Sequence, residues 1–289
     1  MGTLSLEFND PVREIIHPTP EQDVVLVPGG CVMTFVWCPA GAFMMGSPET
    51  ELGHYLNETL HEEVIEEGFW IGKYPVTQEQ YNSLTGTNPS YHQEKIMLVG
   101  NNTPVHSISR TKAMDFCELM NKTLDLDGYK ASLPGSVQWE YACRAGCSSA
   151  LNNGAEISSK YGRCLNLCEV AWNPLDKVDH PQPVSKKAPN NWGIYDMHGN
   201  VWEWCLDQYI HITKKGIIEQ ADPDEFVVRG GAYNTYPKFC RSACVQGKHE
   251  FREMSDDLCK SMYKDYGFRI VLNKMDKYPQ KEIIFTAIP

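Results

Sequence analysis

A chain of 289 residues with 42% hydrophobic, 22% charged and 11% aromatic side chains is long enough to bury a sizeable core and has the composition of a folded globular protein. A formal net charge of −11, with no basic cluster longer than a pair, argues against a phosphate-tracking nucleic-acid binder, which needs Lys and Arg massed on one face. No apolar run reaches the roughly 18 residues of a bilayer span, and the opening MGTLSLEFNDPVREI has neither the basic start nor the apolar middle of an export signal.

In chain order, residues 1–29 read as an N-terminal extension that ends in the short apolar run VVLV, a candidate strand, and FWIG further on reads as another. In KYPVTQEQYNSLTG, Thr77 and Gln80 form a capping box. Val76 and Tyr81 stand where a hydrophobic staple sits, and Gly86 is a natural stop, so the stretch predicts a helix. In SISRTKAMDFCELMNKTL, the residues Ala113, Phe116, Cys117 and Met120 fall at i, i+3, i+4 and i+7, one buried stripe opposite Lys112, Asp115 and Glu118. A shorter helix is expected through VQWEYACRAG, closed by Gly146.

Beyond these helices, short apolar runs such as FVV and FRIV are separated by segments rich in Asn, Gly and Pro. Neither a fixed repeat nor a linker marks a domain border. The reading is one α+β domain whose long loops carry its function. Eleven cysteines are many and odd in number. Cys143/Cys147, Cys164/Cys168 and Cys240/Cys244 are each four apart, unlike the two-residue spacer of most structural zinc ribbons, so buried thiols are preferred to a zinc clamp.

The stretch GNVWEW alternates Trp202 and Trp204 with Glu203, which sends both indoles into the core and the carboxylate the other way, toward something polar. Asn200 and Glu203 are therefore candidate ligands for a hard cation, with hydrogen bonding to loop backbone as the competing reading. After the Gly230–Gly231 pair comes AYNTYPKFCRSAC and then a long charged and aromatic segment. In it, polar and apolar residues mix with neither helical nor strand period. Asn234, Tyr236, Lys238, Phe239, Val245, Gln246, Lys248 and His249 are expected at the surface, whereas Tyr233 and Phe268 are expected in the core. Arg229, Arg241 and Arg269 read as structural, binding loop carbonyls through several donors each.

PAGAFMMGSP, FWIGKYPVTQEQY, PVHSISRTKAMDFC, LPGSVQWEYACRAG, PNNWGIYDMHGNVWEW and RGG…CRSA…YGFRIV occur in that order over residues 30–272. Together they resemble the formylglycine-generating enzyme/sulfatase-modifying-factor family, leaving residues 273–289 as a C-terminal tail. The resemblance implies a variant of the C-type-lectin fold, with two main helices beside a small twisted antiparallel sheet and much loop, and a calcium ion near Asn200 and Glu203. Oxidase members of the family use two cysteines five apart after a GGS turn, where the thiolates bind copper and attack a substrate cysteine. Here Ala232 replaces that serine, Cys240 falls at the second cysteine and Thr235 at the first, so the pair is broken. Cys244 is a one-residue-shifted substitute that an extended segment would turn to the opposite face.

The same fold serves the variable proteins of diversity-generating retroelements, which present a diversified C-terminal surface ending near a GFR motif. Tyr, Asn, Ser and Gly suit such a surface, because rigid aromatics give contact area and small polar groups adapt. The expectation is a monomeric, non-catalytic display protein. It would bind a protein or other macromolecular ligand through residues 227–271, at the cell surface or in another extracytoplasmic location after removal of an export signal, with a cytoplasmic location as the alternative. The alternative is a copper- and thiol-dependent oxidoreductase acting on a peptidyl cysteine through Cys240 and Cys244.

Overall fold

A computed structural model describes residues 24–26, 28–90, 102–124, 126, 128–211, 222–250 and 256–275. Most of the 1–29 extension, positions 251–255 within the C-terminal segment and the 276–289 part of the tail lie outside the described residues. The first half holds β1 (Val24–Leu26), β2 (Met33–Cys38), β3 (Gly41–Met45), β4 (His61–Ile65), β5 (Phe69–Gly72), α1 (Gln78–Thr85), α2 (Arg110–Thr123), β6 (Tyr129–Ser132) and α3 (Ser136–Arg144). The second holds α4 (Leu165–Val170), β7 (Ala171–Trp172), β8 (His198–Gly199), β9 (Trp202–Gln208), β10 (Glu225–Arg229), β11 (Gln246–His249), α5 (Asp256–Met262), β12 (Tyr266–Gly267) and β13 (Val271–Lys274).

Local chemistry places the helices where the sequence predicts them. At the start of α1 the Thr77 hydroxyl accepts from the Gln80 amide at 3.3 Å, while the Gln80 side chain accepts from the Thr77 amide at 2.9 Å, a reciprocal capping box. Gly86 ends the helix in the left-handed region at φ 71°, a conformation open to glycine at little cost. Ser109 caps α2, which buries Ala113, Phe116, Cys117 and Met120 as its stripe requires. α3 stops at Arg144, and Ala145 takes up the left-handed turn one residue before the Gly146 expected to close it.

Five strands pair antiparallel in the order β1-β2-β5-β13-β6, and four in the order β11-β10-β9-β12, where β12 runs parallel to β9. β3 and β4 form a separate hairpin. The FRIV run enters the sheet only at Val271, because its earlier residues serve other partners: the Phe268 carbonyl accepts from the Val76 amide at 2.9 Å and the Ile270 carbonyl from Gly72 at 2.8 Å. Phe268 itself is fully buried and packs edge-on to Phe116 with centroids 5.4 Å apart, in a core that also takes in Tyr81, Trp202, Trp204 and Tyr233. None of the described helices is long and apolar enough to cross a membrane.

Candidate binding surface

Loops this long need cross-links, and buried arginines supply them. Arg229, at the end of β10, has no exposed surface; it donates to Glu140 at 3.0 Å, to the Ser136 hydroxyl at 2.7 Å, and to the carbonyls of Ser242 and Cys244 at 3.2 and 3.3 Å. Arg241 is held by Glu51 at 2.6 Å and by both oxygens of Glu58 at 2.8 Å, and donates to the carbonyls of Gly53 at 2.6 Å and Lys238 at 3.0 Å. The loop at 51–58 is thereby clamped onto the turn at 237–241. Arg269, the third arginine read as structural, is fully buried and donates to the carbonyls of Gly72 at 2.7 Å and Tyr195 at 2.8 Å.

Between these clamps the chain turns at Gly230 and Gly231. Gly231 sits at φ +74°, and a Cβ there would lie 2.6 Å from the Cys240 sulfur and 3.0 Å from the Thr235 hydroxyl, a close approach that leaves glycine as the residue that fits. The Thr235 hydroxyl stands 3.5 Å from the Cys240 sulfur. Thr235, which the family resemblance sets at the first oxidase cysteine, therefore lies beside Cys240 in space and brings a hydroxyl to it. Cys240 is fully buried, and desolvation pushes its thiol up to about 11, with the Thr235 hydrogen bond a weaker opposing influence. Cys244 is buried too and is pushed up to about 12, first by burial and then by the Glu58 carboxylate. A cysteine that acts as a nucleophile without a metal needs an accessible thiolate, which burial disfavours at both positions.

Asn200 and Glu203 answer to different partners and do not converge on a cation. Glu203 faces the polar side of β9 as its alternation with the tryptophans requires. Both its oxygens are used, by Arg269 at 2.9 and 3.1 Å and by the Trp139 indole at 2.7 Å. The Asn200 amide bonds the backbone of Gln182 in both directions and donates to Asp196 at 3.1 Å. A guanidinium already neutralises Glu203, so a calcium ion there would displace a buried cation or sit beside it, and the pair does not fit the ion. Glu203→Gln is expected to lower the melting temperature by the same amount in chelator and in millimolar calcium; a loss confined to the calcium samples would restore Glu203 as a ligand.

The residues expected at the surface divide by depth. Asn234, Tyr236 and His249 are exposed, whereas Lys238, Phe239, Val245, Gln246 and Lys248 are intermediate. Phe239 is a correction to the surface reading: it stacks over Tyr55 at 6.3 Å, meets Trp202 edge-on at 6.1 Å and packs against the main core. Val245 likewise packs against the second core cluster. The Lys248 ammonium lies over Tyr266 at 4.9 Å, and Tyr266 stacks on Trp202 at 6.3 Å. Through Trp202, the group around Lys238 and the group around Lys248 share one aromatic base.

Sequence reasoning missed two contributors to this surface, Tyr55 and Tyr161. Lys238 reaches across both rings, with its nitrogen 5.4 Å from the Tyr55 centroid and 4.6 Å from that of Tyr161. Tyr161 and Tyr236 meet edge-on at 5.4 Å. The available signal was SKYGR at 159–163, a large aromatic set between two basic residues in a glycine-bearing turn.

A five-stranded and a four-stranded sheet with their helices, two further strand pairs and long clamped loops define an α+β domain of the C-type-lectin-like type. Residues 27–274 match the Sulfatase-modifying factor enzyme 1-like domain, and the chain belongs to that family. It is 28% identical over 192 residues to Chaperone protein LppX of Paenibacillus barcinonensis, covering 50% of this chain and 63% of that protein. It is 25% identical over 201 residues to the formylglycine-generating enzyme of Mus musculus, covering 66% and 49%. Over 136 residues it is 29% identical to the Inactive C-alpha-formylglycine-generating enzyme 2 of Bos taurus, covering 45% and 38%. The matched stretch is thus under two thirds of the length of each of these relatives. Among solved structures, Treponema denticola variable protein 1 superposes with a TM-score of 0.67 at 20% identity, over 86% of this chain and 98% of that one. PvdO from Pseudomonas aeruginosa gives 0.66 at 23% identity, again over 86% and 98%. These two share the fold.

Proposed function

We propose that this chain is a non-catalytic binding protein that presents side chains of its C-terminal segment, on an arginine-clamped scaffold, to a macromolecular ligand outside the cytoplasm. The observation that carries this reading is the Thr235–Cys240 pair. The geometry that would bring two thiols together is present, but one partner is a hydroxyl and the other thiol is buried and held protonated. The likeness in fold to a variable protein points the same way. Calcium at Asn200 and Glu203 forms no part of the proposal, since those side chains are already engaged by Gln182, Asp196, Trp139 and Arg269.

The experiment has two arms. Cys240 is expected to resist alkylation until the protein unfolds and to bind no stoichiometric copper(I); rapid native labelling or copper uptake through Cys240 would favour the oxidase reading. Randomising Tyr236 and His249 is expected to change stability by about 0.5 kcal/mol or less per site, as surface substitutions away from caps and buried networks do, whereas Asn234, which is randomised with them and hydrogen-bonds the Asp265 carboxylate, is expected to cost somewhat more. Lys238, Gln246 and Lys248, being half-buried, are expected to cost somewhat more. Circular dichroism melts of the library members read both; widespread unfolding at the three exposed positions would show that they belong to the scaffold.

A further inference from the structure

Among the described residues, Lys238 is a charged group with no carboxylate in ion-pair contact. Its nitrogen lies 4.5 Å from the Phe239 centroid as well as over Tyr55 and Tyr161, and it donates to the Tyr161 hydroxyl at 3.2 Å. Although desolvation works against the charge, hydrogen bonds to the Tyr55 and Tyr161 phenols hold the amine above its ordinary value. The acids on the adjoining loop turn toward Arg241 instead, Glu51 at 2.6 Å and Glu58 at 2.8 Å. Among the described residues, no ion pair involving Lys238 remains. Instead, further positive charge stands nearby. Its own amide donates to the Lys160 carbonyl at 3.3 Å, and Lys160 and Arg163 are exposed on either side of Tyr161.

The base beneath is fixed. Arg241 ties the Gly53 and Lys238 carbonyls together, so the loop carrying Tyr55 and the turn carrying Tyr236, Lys238 and Phe239 move as one piece. On that base Tyr161 is 60% exposed and Tyr236 50%, which leaves two rigid rings open to a partner beside a preorganised ammonium. Large aromatics give contact area at little entropic cost and dominate the energetics of interface centres. An ammonium covered by a partner that offers no counter-charge would be stranded, and that cost selects against such partners. The chain as a whole carries −11, so this basic aromatic patch runs against the prevailing charge and fixes register locally.

We propose that the patch formed by Tyr55, Tyr161, Tyr236, Lys238 and Phe239 docks a protein segment that sets a carboxylate side chain against Lys238 and an apolar or aromatic side chain on Tyr161 and Tyr236. The inference rests on the binding-protein reading and names the chemistry of its partner. The clamp holds the turn that carries Lys238 before the partner arrives, and Tyr161 is tied to that turn through the Lys238 amide on the Lys160 carbonyl and the Lys238 nitrogen on its own hydroxyl, so docking costs little ordering of this side.

The test uses the full chain, immobilised, and a phage-displayed library of short random peptides, with counter-selection on the Tyr161→Ser/Tyr236→Ser variant. Selected peptides are expected to share an Asp or Glu next to an aromatic or aliphatic residue. Titration calorimetry with synthetic copies is expected to show about ten-fold or greater weakening for Lys238→Gln and for the amide version of the peptide acid. The double change should be weaker by less than the product of the two. Patch-dependent peptides without an acidic position would overturn this proposal and leave the binding-surface reading standing. An absence of any peptide that depends on Tyr161 and Tyr236 would overturn both. All substitutions lie at exposed or half-exposed side chains, and melting curves of each variant confirm that the scaffold is intact.

Discussion

Replacing Arg229 with Met is expected to destabilise the protein by about 3 to 5 kcal/mol, the range for removing one partner of a buried ion pair. The substitution keeps the aliphatic stem but withdraws the donors that serve Glu140, Ser136 and the carbonyls of Ser242 and Cys244. Glu140 would not be wholly abandoned, since Arg144 donates to its other oxygen at 2.8 and 2.9 Å and the Gly46 amide does so at 2.8 Å. Among the described residues the carbonyls of Ser242 and Cys244 have no such second cation, and they anchor the segment that follows the exposed turn. The predicted loss therefore has a local signature. Urea unfolding should show the full cost, and hydrogen exchange at 240–246 should accelerate beyond what the global loss explains. A cost under about 1 kcal/mol would mean that the network is dispensable to the fold.

How far the sequence revealed this architecture depends on the range of the interactions involved. The α1 capping box spans three residues and the α2 stripe seven, so both were readable from spacing. The polar orientation of Glu203 was readable too, because strand alternation is local. Its partner was not: Arg269 lies 66 positions away, and an unpaired acid beside a glycine turn looks the same whether a cation arrives from solvent or from the chain. Lys238 and Tyr161 are 77 apart and Arg241 and Glu51 are 190 apart, so the aromatic patch and its clamp exist only once the loops are closed. Phe239 and Val245 were misread for a related reason. A 3-10 turn at Pro237–Phe239 and an irregular approach to β11 have no period from which burial could be inferred.

The histidine under the exposed turn should give the structure a measurable acid sensitivity. His198 is fully buried; its Nδ1 donates to the Cys240 carbonyl at 2.6 Å while Nε2 accepts from the Asn152 amide at 3.0 Å, which defines a neutral ring. The other groups facing it are the Cys143 thiol at 3.8 Å and, at longer range, the Arg144 guanidinium. Burial pulls its pKa from 6.5 down to about 4, and Arg144 adds to the effect. A basic group depressed in the folded state contributes stability that is complete above the unfolded value and is lost as pH falls from about 6.5 to about 4, here about 3 kcal/mol. Asp196 has the opposite sign: burial lifts it from 3.8 to about 6, so its contribution is lost as pH rises through nearly the same window. In the parent protein the two largely offset, and a simple acid titration would hide both. His198→Asn separates them, because the amide can keep a donor near the Cys240 carbonyl but cannot titrate. The variant should be clearly less stable than the parent at pH 7, and the gap should close by about 3 kcal/mol on moving to pH 4, since the Asp196 contribution is common to both and cancels. Urea midpoints measured at both pH values decide the matter: a gap independent of pH would mean that His198 titrates normally and that the carbonyl of Cys240 is not held by a neutral imidazole.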